Sequence, residues 1–170
     1  MNWYKTANNL ISEKELNKKL KCWIKNNSYI KNLFNDAQVD LNVIDDNLKF
    51  EIKKLDGEFA KADSNVIVLN KKLFENGDFF KDHLHFVAHE LSHWLHRQAE
   101  DEWYFNDLEE SRGFASAIGW EIFSGKDEKT IYSKFLPIIF KHFKEEKAAR
   151  KFLDSIYERA LKYLKNNNLI

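Results

Sequence analysis

The spacing of apolar positions changes period twice along the chain. Between Glu13 and Phe34 the residues Leu16, Leu20, Trp23, Ile24, Ile30 and Leu33 recur mostly at helical spacing. Ser12 and Glu15 stand in front of them as a capping box. A helix is therefore predicted from there to about Phe34, with Asn26-Asn27-Ser28 as an interruption. From Val39 to Leu69 the period shortens to two. Val39, Leu41 and Val43 alternate with polar residues, and Leu48, Phe50 and Ile52 alternate with Lys49, Glu51 and Lys53. Phe59–Ala62 and Val66–Asn70 are two further candidate strands, and Asp45-Asp46-Asn47, Asp56-Gly57 and Asp63-Ser64-Asn65 between the segments are turn chemistry. These segments predict a small, mostly antiparallel sheet built from hairpins. After a break at Asn76-Gly77-Asp78, with Asp78 as a candidate cap, helical spacing returns. One long helix is expected over Phe79–Gln98 and another from about Leu108, capped by Asn106 or Asp107, to Phe123. A helical stretch opening at Asp127 or Lys126 contains the only proline, Pro137, as a kink or a new start, and Glu145–Leu164 reads as an amphipathic helix.

The expected class is thus α+β: one domain over residues 1–170, a core at about 39–123, and helical covers at either end. A length of 170 residues suits a single core. With 44% hydrophobic and 32% charged residues the composition is that of an ordinary globular protein. Formal net charge is zero, so no basic excess argues for nucleic acid as a partner. One cysteine, Cys22, rules out a disulfide within the chain and favours a reducing compartment. The first residues, Met1 to Thr6, lack a basic segment followed by an apolar one, and no apolar run approaches a membrane span. The expectation is a cytoplasmic protein with no membrane partner.

Chemistry concentrates in His89-Glu90-Leu91-Ser92-His93, an HExxH pattern on the long predicted helix. Residues four apart share a helix face, so His89 and His93 can offer two imidazole nitrogens to one metal ion. Glu90 falls beside the metal, where it can take a proton from a water. The flanking Leu84, Phe86, Val87, Leu91, Trp94 and Leu95 are apolar, and a buried helix has little use for two His and a Glu without partners. The competing interpretation is a metal-free core helix whose histidines hydrogen-bond to neighbours. His85, His89, His93 and His96 form one stripe. His85, a turn before the pair, is expected to pack or to meet a carboxylate. His96 lies on the metal face, but i and i+7 are roughly 10 Å apart along a helix, which makes it a poor ligand. A catalytic zinc site takes three protein ligands, and Glu109 and Glu110 in the first turn of the next helix are the candidates. Glu110 is preferred, with Glu109 as the alternative. Gly113 and Ala117 follow Glu110 at one and two turns, and small residues there let two helices approach.

The motif His89-Glu90-Leu91-Ser92-His93, followed by Glu109-Glu110-Ser111-Arg112-Gly113-Phe114-Ala115, resembles the gluzincin type of zincin metallopeptidase. It looks most like the small intracellular branch of phage and mobile elements, which includes the ImmA/IrrE-like peptidases and the ArdC-like anti-restriction metallopeptidase domains. The resemblance covers roughly residues 60 to 123. It implies a helix–sheet–helix core, zinc held by His89, His93 and Glu110, Glu90 as general base, and cleavage of a protein or peptide partner. Relatives commonly carry Ala three residues after the ligand Glu, and an acidic residue or Asn at the fourth. Here Gly113 and Phe114 stand at those places.

The expected activity is zinc-dependent hydrolysis of peptide bonds. The alternative is a catalytically weak or inactive zincin-shaped module that binds or regulates a partner, for which the aromatic stripe of the C-terminal helices is one candidate surface. Tyr104, His96 and Arg97 are candidates for stabilising the oxyanion. The strand just before the motif helix, Val66–Asn70, is a candidate edge for an extended peptide.

Overall fold

The computed structural model describes residues 11–75, 77–99 and 109–170, with the backbone alone at Gly77, Asp78 and Glu109. Tyr104 and the expected caps Asn106 and Asp107 lie outside the described residues. Among these residues the fold is α+β and mostly helical, with a small mixed sheet.

The N-terminal helical stretch is two helices, α1 (Glu13–Asn26) and α2 (Ser28–Asp36). Ser12 caps the first, and the break falls at Asn27, whose side chain accepts from the Ile30 N–H at 3.0 Å and so starts the second. Val39–Val43 is not a strand. Asp40 caps a single 3-10 turn over Leu41–Val43, which runs into the short helix α3 (Ile44–Asn47). The alternation there is the trace of a turn that buries Ile44, and Asp45-Asp46-Asn47 lies within α3 rather than in a hairpin turn.

The sheet has three strands: β1 (Lys49–Lys53), β2 (Ala60–Asp63) and β3 (Val66–Asn70). Their order is β1-β3-β2; β3 runs antiparallel to β2 and parallel to β1, so the sheet is mixed rather than mostly antiparallel. Burial accounts for the order. β3 is a nearly continuous apolar run with four of its five residues buried, which suits a central strand. β2 alternates half-buried and exposed residues, which suits an edge. The outer edge of β1 is covered by α1. Asn17 donates to the Phe50 carbonyl at 2.6 Å and accepts from its N–H at 2.8 Å, and Glu13 accepts from the Ile52 N–H at 3.2 Å. That leaves β2 as the open edge among the described residues.

After β3 and a 3-10 turn over Lys71–Phe74, the expected long helix is divided at His83 into α4 (Gly77–Asp82) and α5 (Leu84–Gln98). Asp78 lies inside α4 and does not cap the motif helix. Then follow α6 (Glu109–Phe123), α7 (Glu128–Phe140) and α8 (Glu146–Asn166). Asp127 caps α7, and Pro137 sits within it without starting a new helix. Helix α5 packs on α6 and on β2, and α6 packs on α8. The core runs from Trp94 and Phe34 to Tyr29 and Tyr163, all essentially inaccessible. No described helix is long and apolar enough to cross a membrane.

Candidate metal centre

Helix α5 turns most of its surface inward: ten of its fifteen residues are buried, among them Glu90 and His93. Its neighbour α6 can come close because position 113 has no side chain. A β-carbon on Gly113 would lie 2.5 Å from Cε1 and Nε2 of His89. This crossing brings His89, His93 and Glu110 together, with one ligand atom of each within 4.8 Å of the others. His89 Nε2 and Glu110 Oε2 are 3.7 Å apart. Two imidazoles and a carboxylate are the donor set that catalytic zinc takes, and neighbouring donors of a tetrahedral zinc lie about 3.4 Å apart, so these residues fit such an ion. Burial is the main cause that lowers the pKa of His93 to about 4, which keeps the ring neutral and its lone pair available at pH 7. The imidazole of His89 holds the Glu110 carboxyl below its ordinary range, so Glu110 is ionised even though it stands exposed at the mouth of the site. The side chain of Glu109 lies outside what is described.

Glu90 is buried beside the three, and burial raises its carboxyl above the ordinary range. Its Oε2 accepts the backbone N–H of Ala62 at 2.7 Å. This contact ties the open strand to the motif. Phe59 accepts from the Asn70 N–H at 2.8 Å, and in an antiparallel pair such bonded positions recur every second residue. Phe59, Lys61 and Asp63 thus address β3, while Ala60 and Ala62 direct their backbone groups outward, towards Glu90. Val66–Asn70, the candidate edge for an extended peptide, is paired on both sides; the open edge is that of β2.

A cavity of about 510 Å³ opens over these residues. β2 and the loop before it form one wall, α5 and α6 another, and α7 with the following turn closes the far side. Buried Asn70 fixes the loop: its side-chain amide donates to the carbonyls of Leu55 at 2.8 Å and Glu58 at 2.6 Å. Phe59 is thereby held against Phe86, ring centroids 4.9 Å apart.

Two of the expected oxyanion donors are elsewhere. His96 is exposed and does not line the cavity, and Arg97 donates to the Ser64 carbonyl at 3.1 Å. The cationic side chains that do line it include Lys61 and Lys141, and His142 lines it with them. Nothing in the sequence pairs Lys141 and His142 with the motif; the turn after α7 carries them there. His85 meets a carboxylate, as its position suggests. Nδ1 is 2.8 Å from Glu121 Oε1, and Lys134 Nζ is 2.8 Å from the same oxygen. This trio, with His85 and Glu121 buried and Lys134 half-buried, joins α5, α6 and α7.

No family model matches this chain, and neither a curated protein nor a solved structure does.

Proposed function

We propose that this protein is a zinc-dependent metallopeptidase. The observation that carries the reading is the convergence of His89, His93 and Glu110 beside a buried Glu90, under the open edge of β2. A zinc ion held by those three side chains supplies a Lewis acid that polarises a carbonyl and acidifies a water. Glu90 takes a proton from the attacking water and delivers it to the departing amine as the peptide bond breaks. Its raised pKa makes it a stronger base than a solvated glutamate. Because Ala62 holds Oε2, Oε1 is left to carry the proton. The outward N–H and carbonyl of Ala60 and the carbonyl of Ala62 suit an extended peptide laid along β2. Lys141 supplies positive charge to the same cavity, where charge develops on the carbonyl oxygen, and the His142 ring stands beside it.

The test combines elemental analysis with peptide cleavage. Wild-type protein is expected to bind one equivalent of zinc, retained in Glu109→Ala and lost in Glu110→Ala. Glu90→Gln is expected to keep the zinc while cleavage falls by about 10²–10⁴-fold. Absence of zinc from wild-type protein after zinc is supplied would overturn the reading. Undiminished cleavage by Glu90→Gln would remove Glu90 from its role.

A further inference from the structure

We infer that the apolar end of the cavity is a side-chain pocket for tyrosine, with Nε2 of His85 as the acceptor for the phenol hydroxyl. This rests on the metallopeptidase reading and specifies which substrates it takes.

Phe86, Ala117, Phe135 and Ile138 line that end together with His85. Those four side chains offer no hydrogen-bonding atom, so the body of an occupant must be apolar. His85 is the exception, and its state follows from its neighbours. Its Nδ1 faces Glu121 Oε1 at 2.8 Å, and Lys134 holds the same carboxylate at 2.8 Å. An ionised carboxylate only accepts, so the ring proton sits on Nδ1 and Nε2 keeps its lone pair. Burial, with Lys134 adding to it, keeps the ring neutral at pH 7. That lone pair has no hydrogen-bond partner among the described residues. The rings against His85 are those of His83, Phe86 and Phe135, and His83 Nδ1 is engaged with the Phe79 carbonyl at 2.6 Å. Trp94 Nε1 and Ser116 Oγ are also buried without a partner, but neither residue lines the cavity. His85 combines both conditions.

An unpaired acceptor just behind the wall of an apolar slot selects an apolar side chain tipped with a donor. Phenylalanine matches the walls and leaves the nitrogen unpaired. Lysine would bring a second cation towards Lys134 and must be desolvated to enter. Tyrosine matches both, its hydroxyl reaching the inaccessible Nε2 when the ring of Phe86 or Phe135, each packed on His85, moves aside.

The experiment titrates the two side chains as free molecules, p-cresol and toluene, into isotope-labelled protein followed by NMR. In wild type p-cresol is expected to bind about tenfold more tightly than toluene, and to shift the nitrogen resonance of His85 Nε2. In His85→Phe the order should reverse, because the hydroxyl would then be buried without a partner. Toluene binding as tightly as p-cresol in wild type, or p-cresol binding without moving the Nε2 resonance, would overturn the inference and leave His85 as a tie between helices. The wild-type resonance reports even where the variant does not fold. Neither probe needs zinc or turnover, so a failure of the metallopeptidase reading is registered separately, by the zinc and cleavage assays.

Discussion

A methyl group at position 113 would lie 2.5 Å from the ring of His89, closer than carbon and nitrogen approach without something moving. Two opposing effects make Gly113→Ala informative. Alanine in a helix interior is favoured over glycine by about 1 kcal/mol, whereas overpacking costs about 1–3 kcal/mol. With contact this close the second should win. The metal-free variant is expected to melt at a lower temperature, and its zinc affinity, measured against a chromophoric chelator, to fall about 10–100-fold. A more stable variant with unchanged affinity would mean that α5 and α6 do not cross as described. The importance of Gly113 was legible in the sequence, because it stands one turn from Glu110 and a helix period connects them. The partner of His85 was not. Glu121 lies on another helix, and no period relates the two positions, so only the packing of α5 on α6 pairs them.

Strands were harder to read than helices, for a reason visible in β1 and its neighbours. Leu48, Phe50 and Ile52 alternate with charged residues in a true strand, but Val39, Leu41 and Val43 show the same alternation in a 3-10 turn. A period of two over five residues does not separate the two cases; the capping Asp40 does. Strand order was legible in principle: the unbroken apolar run of β3 marks a strand buried on both faces, which belongs between its neighbours. The lid on β1 depends on a side chain that no pattern marks. Asn17→Ala removes both hydrogen bonds to Phe50 and leaves its backbone groups short of partners. A loss of about 2 kcal/mol is expected, read as a lower urea midpoint at unchanged slope. Asn17→Asp should recover only part, since a carboxylate accepts from the Phe50 N–H but cannot donate to its carbonyl.

Across the whole molecule, the His85–Glu121–Lys134 trio makes stability depend on pH. The unfolded chain takes up a proton on His85 near its ordinary value of 6.5, but the folded one does so only at about 4. The unfolded state thus binds more protons between these values. Stability from this source is complete above about pH 6.5, declines as pH falls through the window, and is lost below about 4. The total is on the order of 3 kcal/mol. Glu121, held below its ordinary range by His85 and Lys134 against the opposing effect of burial, acts with the same sign at the acid end. His93 also titrates at about 4, so the measurement is the difference in slope between metal-free wild type and His85→Phe, by urea unfolding at pH 4.5 to 7.5. Equal slopes would remove His85 as the cause.

The same sheet also bears on how the chain keeps apart from its own copies. A strand edge with free backbone groups is a template for any passing strand, and β1 is kept from that role by the side chains of α1. Any event that frees α1, whether a proteolytic nick near Asn27 or a misfolded start, would turn β1 into a sticky surface. The first helix then acts as a guard on solubility, and its loss would be felt as clumping before it was felt at the cavity on the far side of the sheet.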